Sequence, residues 1–292
     1  MRNFLFLLIL VSSLSCATKS NSERNVSDWI PFLYEKNHII LPLDVKGQKL
    51  RALLDSGANI NIIGLAFGKK YLMASKQKVE VTTLNVTKKV PLYESVLFSF
   101  HDAKIRQPAL GLELVSSNFD AVIGSSIFRM GTWEVDFPRR QFRIHKASSF
   151  VYTGPTKPIP IEMKQGNPYV HLSVDGRTYT LLLDTGATGS LLLPASSKEI
   201  QQLKNRGQES SRLVGAHGEG LETYTKPAGE IEIGSYKLNG VVANYFNEDT
   251  NSVREFGIMG LQFLDQFVVT IDLAHGALYL ELQEESQAAA VR

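Results

Sequence analysis

The chain has 292 residues, 43% hydrophobic and 21% charged, an ordinary globular composition long enough for one large domain or two smaller ones. Its 31 basic and 29 acidic residues are spread along the chain and leave a formal net charge of +2, which offers no electrostatic case for nucleic acid. Cys16 is the single cysteine, so an intrachain disulfide is excluded.

In chain order, Arg2 precedes an apolar run over 4–11, followed by small residues and Cys16. This is the layout of an export signal over 1–15, and the run is too short to span a bilayer. The stretch Ser13-Leu14-Ser15-Cys16 resembles a bacterial lipoprotein cleavage site, with Cys16 as the lipid-bearing residue, although Ser13 stands where that pattern prefers an aliphatic side chain. The other reading is ordinary signal cleavage nearby, leaving Cys16 as a free thiol. The polar stretch that follows reads as a flexible tether, over 16–30.

A first lobe is expected over 31–147. Strands at 39–45 and 50–54 flank a turn around Gly47, and the second of them runs directly into Asp55. A strand pair over 133–144, broken by Pro138-Arg139, closes this half. Gly154, Pro155, Pro158 and Pro160 mark 148–160 as a linker. The second lobe, 161–285, opens with strands at 169–174 and 179–183 around Asp175-Gly176, the latter strand ending at Asp184. A helix capped by serine is expected over 196–205, and a strand pair over 267–280 precedes a short tail at 286–292.

The two halves repeat one another. The stretch from Leu50 to Ala58 matches that from Tyr179 to Ala187 at an offset of 129 residues (184 − 55). Downstream, Ala121-Val122-Ile123-Gly124 faces Gly257-Ile258-Met259-Gly260 at an offset of 136 (260 − 124), and Val135-Asp136 with Ile271-Asp272 keep that spacing. Two motifs in the same order at steady offsets indicate duplication.

Each repeat sets a carboxylate at the end of a strand whose apolar residues demand burial. Such a placement costs free energy unless the group is hydrogen-bonded or used. Gly57 and Gly186, two residues later, permit a tight turn whose amides approach the carboxylate, and Ser56 or Thr185 between them supplies a bracing hydroxyl. One such loop is commonly only a turn. Two copies, each after an apolar strand and each followed by an aliphatic-Gly pair, are far more specific.

On these residues the sequence resembles the retropepsin-like aspartic peptidases, with two retroviral-type halves fused in tandem. Asp184-Thr185-Gly186-Ala187 fits that family's Asp-Thr-Gly-Ala, Asp55-Ser56-Gly57-Ala58 is its Ser variant, and Ile123-Gly124 and Met259-Gly260 fit its later aliphatic-Gly element. The resemblance implies an all-β, two-lobed fold with closed-barrel-like lobes and few short helices. It also implies an aspartic endopeptidase in which Asp55 and Asp184 are catalytic and share a proton, Ser56 and Thr185 brace the loops, and Gly57, Ala58, Gly186 and Ala187 contact substrate. Gly124 and Gly260 would be structural. At about 3 Å and an effective dielectric near 20, two carboxylates repel by about 5–6 kcal/mol, or about four pK units, so the second ionisation is delayed, as is known for aspartic proteases as a class.

The glycine-rich run around Gly215, Ala216, His217 and Gly218 is the candidate flap over the substrate. The first half offers none, since 82–90 lacks glycine and reads as an ordinary strand and turn. No cofactor or metal is expected, and the histidines show no ligand spacing. The expected partners are a protein or peptide substrate and, through Cys16, a membrane; the expected location is the bacterial envelope, with the outer membrane favoured, as a monomer. Two alternatives stand beside this reading: a peptide-binding module that kept the fold and lost catalysis, and a dimer pairing each half with its counterpart in another chain.

Overall fold

Apolar residues alternate with polar ones on either side of two tight turns, and each stretch folds into a hairpin. Strands His38–Val45 and Gln48–Leu54 pair antiparallel, as do Asn167–Val174 and Arg177–Leu183. Both turn residues are left-handed in each: Lys46 and Gly47 at φ 56° and 75°, Asp175 and Gly176 at φ 50° and 80°. That pair of signs matches the twist of the flanking strands, which is why these short turns set the register. Inside–outside alternation is the same, residue by residue, in the two hairpins. The computed structural model describes residues 25–83, 86–100, 103–114, 118–214, 220–249 and 256–282.

The second strand of each hairpin is central in its sheet. Gln48–Leu54 lies between His38–Val45 and the parallel strand Ala121–Ile123; Arg177–Leu183 lies between Asn167–Val174 and the parallel strand Gly257–Met259. The first half builds an eight-stranded sheet and the second a ten-stranded one. A third sheet, of six strands, belongs to both halves: Thr132–Asp136 pairs antiparallel with Phe267–Asp272, Trp133 opposite Ile271. Under it Trp133 is fully buried, its ring 4.8 Å from Phe128 and stacked at 5.1 Å on Phe142. The segment between the halves is tied to the same sheet. Tyr152 stacks on Tyr279 at 3.8 Å and donates to Glu281 Oε1 at 2.6 Å, and Ile159–Pro160 pairs with Ala277–Leu282.

The fold class differs from the expected one. With 11% helix and 55% strand the fold is mixed α/β, and its sheets do not close into barrels. The first-half sheet runs from Leu33–Glu35 at one end to Lys78–Thr83 at the other. Pairing of Asp44 with Ser99 and Val45 with Phe98 curls that sheet but leaves both end strands outside the curl. The helices arise where strands end: Leu65–Tyr71 after Gly64, Ser125–Phe128 after Gly124, Ser197–Asn205 after Ser196, Leu261–Leu264 after Gly260. Two of these are a single turn, too short to write a helical period into the sequence. The third carries a reciprocal cap: Glu199 N–H donates to Ser196 Oγ at 3.3 Å and Ser196 N–H to Glu199 Oε2 at 2.7 Å. No helix among the described residues is long and apolar enough to cross a membrane.

Candidate active site

Asp55 and Asp184 leave their central strands at the same level because the backbone of each is pinned by the neighbouring parallel strand. Asp55 N–H donates to Ile123 O at 2.9 Å, and Asp184 N–H to Met259 O at 3.0 Å. Each loop then folds back on its own carboxylate. Asp55 Oδ1 accepts from Gly57 N–H and Ala58 N–H, both at 2.9 Å; Asp184 Oδ1 accepts from Gly186 N–H at 2.9 Å and Ala187 N–H at 3.1 Å.

The two loops are cross-braced through their hydroxyls. Ser56 Oγ donates to Leu183 O at 2.7 Å and accepts from Thr185 N–H at 3.0 Å, while Thr185 Oγ1 donates to Leu54 O at 2.8 Å and accepts from Ser56 N–H at 3.0 Å. Both side chains are buried. In that low-dielectric setting an unmade bond would cost more than a made one contributes, so the brace holds the loops in one register.

The brace packs each glycine against the opposite carboxylate. A Cβ on Gly57 would lie 2.5 Å from Asp184 Cγ, and one on Gly186 would collide with the carboxyl of Asp55. The carboxyls therefore face each other between the two loops. Burial and the neighbouring Asp184 carboxyl raise the pKa of Asp55 well above the usual carboxylate value, against the lowering effect of the Ala58 and Gly57 amides.

Gly124 and Gly260 sit where the backbone of the Asp loop passes closest. A Cβ on Gly124 would stand 2.7 Å from both Ala58 O and Ile60 O, and one on Gly260 would collide with Gly189 O. Ser125 N–H donates to Ala58 O, and Leu261 N–H to Ala187 O, each at 2.7 Å.

The sequence reading overlooked several supporting residues. Asn61, fully buried, accepts from Gly124 N–H at 3.0 Å and donates to Pro108 O at 3.2 Å. A polar residue inside the apolar strand Asn61–Gly64 was the available signal. The turn Gln165-Gly166 docks on the first half, with Ser125 Oγ donating to Gly166 O at 2.8 Å and Asn59 Nδ2 to Gln165 O at 3.4 Å. On the other flank Tyr34 donates to Asp265 Oδ2 at 2.9 Å. No local motif announces such contacts.

The candidate flap residues Gly215, Ala216, His217 and Gly218, and Cys16 with the whole export-signal region, lie outside the described residues. The strands on either side of the flap candidate, Ser210–Val214 and Gly220–Pro227, form an antiparallel pair, and Lys78–Thr83 with Val86–Phe100 forms one in the first half. Asp136 and Asp272, aligned in the repeat, close turns: Asp136 accepts from Arg139 N–H at 3.1 Å, and Asp272 from His275 N–H at 3.2 Å. Among the described residues no three His, Cys, Asp or Glu side chains gather as a metal site requires.

Three sheets with paired Asp-Ser/Thr-Gly loops at the junction of the halves define an aspartic-protease-superfamily fold, related to the retropepsin-like and pepsin-like proteases. Residues 170–263 match the aspartyl protease family. Among solved structures, the aspartic proteinase from Irpex lacteus superposes with a TM-score of 0.60 at 15% identity, covering 91% of this chain and 99% of that one. No curated protein matches the sequence.

Proposed function

We propose that the protein is an aspartic endopeptidase that hydrolyses peptide bonds with one water shared by Asp55 and Asp184. The observation that carries the reading is the reciprocal loop arrangement, in which each carboxyl is packed against the other loop's glycine and each loop's hydroxyl bonds the other loop's backbone. With Asp55 pushed toward its protonated form, the pair holds one proton over a range where two isolated carboxyls would hold none. The ionised member takes a proton from the water as it attacks the scissile carbonyl, and the protonated member donates to the carbonyl oxygen. The amides of Gly57, Ala58, Gly186 and Ala187 fix the inner carboxylate oxygens, leaving the outer ones for chemistry.

In this reading Ser56 and Thr185 act by positioning, and the substrate is a protein or peptide laid between the halves. Because both halves are in one chain, the site assembles within a monomer. Cys16, as a lipid-bearing residue, would hold the enzyme to a bacterial envelope membrane. The test is turnover of an unstructured protein such as casein between about pH 4 and 7, with wild type, Asp55→Asn and Asp184→Asn in parallel. Either substitution alone should abolish cleavage. Full activity in one single variant rejects the shared pair, and peptide binding without cleavage by wild type makes the protein a binding module.

A further inference from the structure

A cavity of about 180 Å³ opens beside the Asp184 loop, against the strand pair Ser210–Val214 and Gly220–Pro227. One wall is apolar, formed by Ala187, Leu192 and Ile258. The other carries Asn244 and the hydroxyls of Ser211 and Thr223, which bond each other at 2.7 Å. Strand alternation turns the Arg212 side chain to the opposite face from Ser211, together with Glu222, which stands 3.9 Å from Lys204. Arg212 therefore lends the wall its backbone, and among the described residues no charged side chain faces the cavity.

The polar wall is oriented. Thr225 Oγ1 donates to Asn244 Oδ1 at 2.7 Å, which engages the amide oxygen and leaves Nδ2 as the donor toward the cavity. Nδ2 lies 3.9 Å from the place a Cβ on Gly189, another wall residue, would occupy. Beside it the paired hydroxyls of Ser211 and Thr223 keep lone pairs that can accept.

Ladder register shows that this polarity belongs to the second half alone. Leu192 pairs with Ile258 and Asn244, and Asn244 pairs with Thr225; in the first half Ile62 pairs with Val122 and Leu110, and Leu110 with Leu92. Two residues before Thr225, Thr223 pairs with Ser211; two before Leu92, Val90 pairs with Val79. Ser211, Thr223, Thr225 and Asn244 thus stand where the first half has Val79, Val90, Leu92 and Leu110, which pack in one apolar cluster. The fold is satisfied by aliphatic side chains at these places. Setting an amide and hydroxyls there costs desolvation, which a ligand that bonds them offsets.

We propose that this cavity is a subsite for a carboxamide side chain of the substrate, glutamine foremost. Its carbonyl oxygen would accept from Asn244 Nδ2, its N–H groups donate to the Ser211–Thr223 hydroxyls, and its methylenes lie against Leu192 and Ile258. A carboxylate meets no cation there and a lysine no anion, while a leucine leaves the amide and hydroxyls without partners. The inference rests on the proteolytic reading and adds to it a preference at one position, on one side of the cleaved bond.

The experiment is cleavage profiling of wild type on a trypsin-generated peptide library, followed by kcat/KM on synthetic peptides that differ only by Gln, Glu, Lys or Leu at the selected position. Wild type should enrich Gln at one position near the cut and should cleave the Gln peptide at least about tenfold better than the Glu peptide of the same shape. Asn244→Leu and Thr223→Val each install the first half's residue. Each should lower the ratio of kcat/KM on the Gln peptide to that on the Leu peptide, by about tenfold for Asn244→Leu, and this ratio is insensitive to a general loss of activity. The wild-type profile depends on neither variant folding. Cleavage with no enrichment of Gln, equal cleavage of the Gln and Glu peptides, or a Gln-to-Leu ratio unchanged in both variants overturns the subsite alone. Failure of wild type to cleave any peptide overturns the proteolytic reading and the subsite together.

Discussion

Thr185→Val removes one hydroxyl while keeping the side chain's shape, and the structure assigns that hydroxyl two bonds. It accepts from Ser56 N–H at 3.0 Å and donates to Leu54 O at 2.8 Å, with Thr185 2% exposed and Ser56 fully buried. The substitution leaves a backbone donor and a backbone acceptor without partners in a place water reaches poorly. Each orphaned group costs about 1–3 kcal/mol, so the expected loss is about 2–6 kcal/mol, against a total stability of about 5–15 kcal/mol for a typical domain. At about 2–4 °C per kcal/mol this is a fall in Tm of several degrees or more, read by circular dichroism or by urea unfolding. Thr185→Ser keeps the hydroxyl and loses only a methyl, so it should recover most of the difference. A valine variant whose midpoint and slope in urea match wild type would refute the reasoning, because the hydroxyl would then not be bridging the loops.

Three further outcomes follow from the same geometry. Gly57→Ala places a methyl 2.5 Å from Asp184 Cγ and should push the carboxyls apart, lowering kcat on any cleaved peptide by about a hundredfold while circular dichroism stays native. Gly124→Ala meets backbone oxygens at 2.7 Å instead of a side chain that can swing away, so it should destabilise the fold by about 1–3 kcal/mol in urea unfolding. Asp55 has a raised folded pKa, so its contribution to stability is fully present below the unfolded carboxylate pKa and is lost as pH rises through the folded value. Asp55→Asn, which cannot ionise, should remove that fall: its Tm relative to wild type should be higher at pH 8 than at pH 4 while cleavage is abolished, and an unchanged difference between the two pH values would contradict the burial and coupling assigned to Asp55.

What could be read from the sequence was what the chain writes locally. An apolar strand ending in Asp-Ser-Gly-Ala or Asp-Thr-Gly-Ala carries its own turn chemistry, and the carboxylate's partners, the amides two and three residues on, are fixed by that spacing. The Gly47 and Asp175-Gly176 hairpins and the capped helix after Ser196 were legible for the same reason. The bridging sheet was not. The strand pairs at the end of each half were visible as patterns, but nothing within Trp133–Asp136 says that its partner will be Val268–Ile271 of the other half. Closed barrels were inferred from resemblance alone. The one-turn helices after Gly124 and Gly260 were invisible, because four residues cannot display a period of 3.6.

The duplicated hairpins bury the same positions, yet the halves diverge where the chain leaves the repeat. In the first half Leu110 stands opposite Ile62, whereas at the corresponding place in the second Asn244 stands opposite Leu192 and lines an open cavity. Symmetry is kept where the two loops bring equivalent carboxyls together, since any offset would separate them. It is relaxed one strand further out, where the side chains lie beside the Asp184 loop instead of within the paired loops. On the proteolytic reading, a site whose centre is two-fold and whose flank is one-sided can act on a bond and still distinguish the two directions in which a peptide lies. That is the physical reason to seek selectivity on the flank, where the second half carries Asn244 in place of Leu110, and not in the aspartates themselves.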